Sequence, residues 1–158
     1  MSSRPEVQLD ELYREVVMDH YRRPRGRQPL GQVDVAAKGF NPVCGDEVEV
    51  FLQLSGETIA QAQVKSRGCA ICTASASMMA EILPGKAITQ AEADAEEFRQ
   101  VMHGKPFPQD RELGDLEALE GVKHFPVRVK CALLPWMTLK DAIAAFRRGE
   151  SKAETTTE

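Results

Sequence analysis

A change of hydrophobic period at Gly68 divides this chain into two kinds of sequence. Before it, apolar residues alternate. Val33, Val35 and Ala37 interleave with Asp34, Ala36 and Lys38; Val48, Val50, Leu52 and Leu54 interleave with Glu47, Glu49, Phe51 and Gln53. Ser55-Gly56-Glu57 carries turn chemistry, and Ala60, Ala62 and Val64 then alternate with Gln61, Gln63 and Lys65. Three period-two runs joined by short turns predict an antiparallel sheet with one buried face. After Gly68 the pattern is helical. Residues 70–83 predict one helix, closed by Pro84-Gly85, and residues 89–103 a second, closed by Gly104. Residues 105–114 read as a loop, and a short helix follows around 115–120. The last helical stretch carries Cys131, is interrupted or kinked at Pro135 and runs to Gly149, with Trp136, Leu139, Ile143 and Phe146 on one stripe. Strands first and helices later predict an α+β fold, a small three-stranded antiparallel sheet packed against several helices.

Before the strands, Leu9, Leu12, Tyr13, Val16, Val17 and Tyr21 recur at helical spacing, with Asp10 as the cap and Pro24 as the stop. His20 lies on or beside that apolar stripe and reads as a packed, hydrogen-bonded core histidine. The tail 150–158 is polar without an apolar anchor and is expected to be disordered, leaving residues 1–149 as one domain.

No apolar run approaches the roughly 18 residues of a membrane span. Met1–Asp10 lacks an apolar export core, so the expected compartment is the cytoplasm. Twenty basic residues against 24 acidic ones leave a charge of −4, which argues against general nucleic-acid binding. The basic cluster Arg22-Arg23-Pro24-Arg25-Gly26-Arg27 has no interleaved aromatic and stays a secondary reading on that point.

Four cysteines lie at 44, 69, 72 and 131. In a reducing compartment such a set means metal or redox chemistry more often than disulfides. Cys44 and Asp46 open the second strand two residues apart, on one face, with Gly45 between them to let the backbone bend. Cys69 follows Arg67-Gly68 and precedes a helix, where unpaired N–H groups favour a thiolate; the alternative is a small buried residue at a strand–helix junction. Cys72 completes a C-x-x-C with Cys69, which fits a redox pair or two zinc ligands. Ala76, Met79 and Leu83 nevertheless continue an apolar stripe from it, which favours a core position. Cys131 is flanked by Arg128 and Lys130. These are either ordinary surface bases or groups that offset the negative charge of a metal site and hydrogen-bond its ligands. Cys44, Asp46, Cys69 and Cys131 together make an S/O donor set suited to tetrahedral Zn²⁺.

Longer motifs carry a resemblance. Leu9-Asp10-Glu11-Leu12-Tyr13-Arg14, Met18-Asp19-His20-Tyr21 and Pro24-Arg25 resemble the N-terminal signature of the IscU/NifU-like iron–sulfur scaffold superfamily. Asn41-Pro42-Val43-Cys44-Gly45-Asp46 and Gly68-Cys69-Ala70-Ile71, with Ala74–Met79, resemble its core motifs. Leu113–Leu119 and Phe125–Cys131 resemble the SufU branch. The resemblance spans about residues 9–148. It implies a SufE/IscU-like α+β fold and a Cys-Asp-Cys-Cys site at Cys44, Asp46, Cys69 and Cys131. Two features favour the SufU branch: Lys130 stands where IscU-type proteins have a histidine, and there is an extra segment at roughly 104–122. The implied role is zinc-dependent sulfur transfer. A persulfide sulfur passes from a SufS-type, pyridoxal-phosphate cysteine desulfurase to Cys44, a histidine of the desulfurase replaces Cys44 as ligand, and the sulfur moves on to a SufBCD-type assembly complex. Two alternatives are a scaffold that builds a cluster on the same residues and a structural zinc module. Cys72 departs from the small non-thiol residue usual at its position, and a Cys69–Cys72 disulfide would withdraw Cys69 from the metal.

Overall fold

The computed structural model describes residues 11–157, and for Glu11 and Leu12 the backbone only. Leu9 and the expected cap Asp10 therefore lie outside the described residues. Helix α1 (Glu11–Arg22) leads into β1 (Val35–Asn41), β2 (Asp46–Ser55) and β3 (Thr58–Arg67). Then come α2 (Ala70–Ile82), α3 (Ile88–Met102), a 3-10 segment (Gly114–His124), α4 (Pro126–Arg147) and β4 (Lys152–Thr156).

The alternation holds in β1 and β2, where Val35, Ala37, Val48, Val50 and Leu52 are all buried on the inner face of the sheet, although Val33 lies before β1 and is exposed. In β3 it breaks: Ile59 and Val64 are buried while Ala60 and Ala62 are only half-buried, because Ala60 is left unpaired where the register shifts and the parity changes there. β1 pairs antiparallel with β2 from Val35↔Leu52 to Asn41↔Asp46, and β2 with β3 from Glu47↔Arg67 to Ser55↔Thr58, with an irregularity at Gln53/Leu54. The register places Asn41 opposite Asp46 at the end of the hairpin that carries Cys44.

Two expectations are corrected. The sheet has four strands, ordered β3-β2-β1-β4, and it is mixed, because β4 pairs parallel with β1. The stretch 150–158, read as a disordered tail, supplies that strand. The free edge of β1 offers unpaired peptide groups. The Ala36 N–H donates to the Ser151 carbonyl (2.9 Å) and the Thr157 N–H to the Phe40 carbonyl (3.1 Å). Ala153 packs on the core, and Thr155 Oγ1 donates to Asp141 Oδ2 (2.5 Å). The polar composition hid a strand held by backbone hydrogen bonds rather than by apolar anchors.

Helix α2 is buried at every residue from Cys72 to Ala80, and it packs against α1, α4 and β3. α4 runs through Pro135 as one helix; Pro135 has no N–H to donate to the Cys131 carbonyl one turn back. Thr138 Oγ1 donates to the Leu134 carbonyl in the same region (2.7 Å). Trp136, fully buried on α4, meets Phe98 of α3 at 5.9 Å between ring centroids. The segment between α3 and α4 is tied down by buried Asp94, which pairs with Lys86 and with Arg111 (2.5 Å), and by buried Leu113, Leu116, Leu119 and Val122. His20 is a buried core histidine. Its Nδ1 lies 2.7 Å from Ser77 Oγ and its Nε2 2.8 Å from Asp115 Oδ2, which joins α1 to α2 and to the 3-10 segment. Among the described residues no helix is long and apolar enough to cross a membrane.

Candidate metal centre

Three elements meet at one end of the sheet: the β1–β2 turn, the start of α2 and the first turns of α4. They bring the four expected donors together. One donor atom each from Cys44, Asp46 and Cys131 lies within 4.8 Å of the others. Cys69 stands beside this trio, its Sγ 4.0 Å from Asp46 Oδ2. Thiolates around a tetrahedral zinc, at Zn–S of about 2.3 Å, lie about 3.8 Å apart. Three sulfurs with one carboxylate suit that ion.

Each donor is placed by its own local device. Cys44 lies in the turn, two residues before β2 begins, rather than in the strand. Left-handed Gly45 (φ +76°) turns the chain so that Cys44 and Asp46 converge; strand alternation alone does not bring them together. From Asp46 onward the alternation does hold, and Asp46 is buried with Val48 and Val50. The Asn41-Pro42 turn is fixed by the Asn41 side chain, whose Oδ1 accepts from the Val43 N–H (3.2 Å), while its carbonyl accepts from the Gly45 N–H (2.8 Å). Buried Asn41 Nδ2 also points at Cys131 Sγ (3.8 Å). The sequence reading gave Asn41 no role, although an Asn-Pro pair is a turn signal.

Cys69 is the N-cap of α2. Its sulfur accepts from the Cys72 N–H (3.4 Å), and its own N–H donates to Asp46 Oδ1 (3.0 Å). The hydrogen bond from the Cys131 thiol is the main force drawing the Cys69 thiol down to about 6; burial opposes it and the Cys72 N–H assists. The Cys131 thiol is correspondingly pushed up, first by Cys69 and then by burial. Metal binding requires these thiols to give up their protons, and the lowered Cys69 thiol is the readier of the two to do so. Cys72 is fully buried, and burial drives its thiol upward, so it belongs to the core and not to the donor set.

Arg128 lies at this centre. Burial pulls its guanidinium down, but the neighbouring Cys69, Cys131 and Cys44 sulfurs outweigh that and hold it above its ordinary range. Lys130 points elsewhere: it hydrogen-bonds none of the donors and lines a groove on the other flank of α4. Val43, next to Cys44, and Val127, one turn before Cys131, are exposed to 63% and 56%. A second group, His20, Glu81 and Asp115, also lies within 4.8 Å. Its imidazole is already engaged with Asp115, and Arg25 Nε stands 3.5 Å from Glu81, so this group is a hydrogen-bonded strut.

Residues 12–153 match the family described as NifU-like N terminal domain. The chain is 42% identical over 141 residues to the zinc-dependent sulfurtransferase SufU of Bacillus subtilis, covering 89% of this chain and 95% of that protein. It is 39% identical over 135 residues to the iron–sulfur cluster assembly scaffold protein IscU of Streptococcus pyogenes, covering 85% and 84%. Among solved structures it resembles a protein from Fervidobacterium islandicum described as an iron–sulfur cluster assembly scaffold for the SUF system, with a TM-score of 0.76 and 32% identity over 82% of this chain and 94% of that one.

Proposed function

Because the chain belongs to the NifU-like N-terminal domain family, we propose that it serves iron–sulfur cluster assembly as a sulfur acceptor, with Cys44 receiving a persulfide sulfur from a SufS-type cysteine desulfurase. The similarity to a zinc-dependent sulfurtransferase and the donor set Cys44, Asp46, Cys69 and Cys131 support zinc as the resident ion. When bound, zinc supplies a Lewis-acid centre that keeps the sulfurs ionised at neutral pH.

One observation carries the choice of Cys44. Asp46 and Cys131 are wholly buried, whereas Cys44 and Cys69 are half-buried. Of those two, Cys69 is tied into its helix cap, while Cys44 rides on a glycine-hinged turn beside exposed Val43. The Cys44 thiolate attacks the terminal sulfur of the donor's Cys–S–S⁻. A new S–S bond forms on Cys44, the donor's S–S bond breaks and the donor leaves as a thiolate, so charge and electrons balance without an added oxidant. Asp46, Cys69 and Cys131 hold their places through this exchange, and Arg128 lies where it can neutralise the negative persulfide. Delivery then runs toward a SufBCD-type complex. The chemistry needs reduced thiols, which the cytoplasm maintains.

The test is to incubate the chain with the desulfurase and cysteine and to map persulfide by mass spectrometry. Label on Cys44, lost in Cys44→Ser together with stimulation of turnover, is the expected result. Label on Cys69 or Cys131 in that variant would overturn the assignment. The similarity to an IscU scaffold favours cluster assembly on the same donors as a second reading. A brown, cluster-loaded protein after incubation with iron and sulfide would support it over colourless zinc protein.

A further inference from the structure

A groove of about 730 Å³ opens between the end of α3, the end of the 3-10 segment and the first turns of α4. Met102, Val129 and Leu133 make its apolar floor. His103, Lys123, His124 and Lys130 stand around it, and no acidic side chain lines it. On a chain of charge −4 this is a local reversal of sign. Lys123 is partly satisfied, since its Nζ donates to Glu120 Oε2 at 3.4 Å, and His103 Nδ1–H donates to the Arg99 carbonyl at 2.7 Å. Lys130 and His124 have no hydrogen-bond or ion-pair partner among the described residues. Pro126, the first residue of α4, also lines the groove, and that helix start has no side-chain cap, which adds a positive dipole end to the same place.

The groove and the metal centre are two flanks of one helical turn. Val127, Arg128 and Cys131 face the donors, whereas Pro126, Val129, Lys130 and Leu133 face the groove. Exposed Val127 lies between the two flanks, next to Pro126 and one turn before Cys131, so a protein seated over Cys131 and Val127 lies beside the groove. An apolar floor inside a basic rim complements an acidic segment with an apolar anchor. We infer that this groove docks an acidic, apolar-anchored segment of the protein that donates the persulfide, so that the donor straddles α4 with its sulfur over Cys44. The inference rests on the sulfur-acceptor reading and gives Lys130 a role away from the metal.

The experiment measures two quantities with the organism's own SufS-type desulfurase: the dissociation constant by calorimetry, and the half-saturating concentration of the chain in the turnover assay. Lys130→Glu with His124→Glu, both partnerless positions, should raise each about tenfold. Maximal turnover should stay within about twofold, with zinc content and melting temperature unchanged, and wild-type affinity should fall as salt is added. Unchanged binding by the double variant, or wild-type affinity indifferent to salt, overturns the groove and leaves the sulfur-acceptor reading standing. Binding weakened by the variant without any sulfur reaching the wild-type chain supports the groove and overturns that reading. A wild-type chain that does not bind the desulfurase overturns both.

Discussion

A single hydrogen atom at Gly68 leaves room for Asp46 among the candidate donors. A Cβ built there would lie 2.2 Å from Asp46 Oδ1, on a backbone at φ +151° that disfavours any side chain. Gly68→Ala should therefore displace the carboxylate and lower bound zinc well below one per chain. Gly31→Ala, where nothing lies within 4 Å, serves as the matched control. Full metal occupancy in Gly68→Ala would show that Asp46 is not a ligand. Cys72 tests the opposite case. It is wholly buried, so Cys72→Ser places a hydroxyl in apolar surroundings and should destabilise by about 1–3 kcal/mol, read by denaturant unfolding. Zinc content and sulfur transfer should be untouched; loss of zinc would mean the ligand set is wrong. At this scale much was legible in the sequence. The apolar stripe through Ala76, Met79 and Leu83 places Cys72, and the glycine before Cys69 marks a helix cap. What period and spacing do not carry is convergence: the hold of Asn41 on Val43, Gly45 and Cys131 exists only once the turn has closed.

Among the elements, helices and the first three strands follow from apolar periodicity, and β4 does not. Lys152–Thr156 has only Ala153 as an apolar contact, so its stability comes from the parallel ladder to β1. Cross-strand pairs contribute about 0.2–1 kcal/mol each. A chain ending at Glu150 should thus lose about 1–3 kcal/mol in urea unfolding, and an unchanged midpoint would make β4 a passive appendage. The contact between α3 and α4 makes a prediction about pH. Glu96 accepts from Arg99 on its own helix and from Lys140 on α4. Arg99 above all, against the opposing effect of burial and with help from Gln100 and Lys140, holds its carboxyl at about 2, below its ordinary 4.5. The folded form therefore binds fewer protons than the unfolded one between those values. The contribution of Glu96 is present above pH 4.5 and is lost as pH falls through 2. Glu96→Gln should melt below the wild type at pH 6 and together with it near pH 2; a gap that persists in acid would exclude this origin.

On the scale of the whole molecule, the donor set works as a clasp. Cys44 and Asp46 come from the β1–β2 hairpin, Cys69 from the cap of α2 and Cys131 from α4, three elements far apart in sequence that also bound the core. The unfolded chain cannot bring these donors together, so binding energy becomes folding energy. At free zinc a hundredfold above its dissociation constant the stabilisation is about 2.7 kcal/mol. For a domain of this size each kcal/mol moves the melting temperature by about 2–4 °C, so stripping the metal with a chelator should lower it by about 5–10 °C. The effect should also have a pattern. Hydrogen exchange should quicken together in the hairpin turn, the first turn of α2 and the first turns of α4. The interior of α3 supplies no donor and packs on α4 through Phe98 and Trp136, so it should change only with global unfolding. Restored zinc should reverse both effects, and because the cysteine thiols must give up protons to bind it, the gain should be larger at pH 8 than at pH 6. A chelated protein with an unchanged melting temperature would refute the clasp. Faster exchange confined to the turn would show that the metal orders Cys44 alone and leaves the three elements to hold each other.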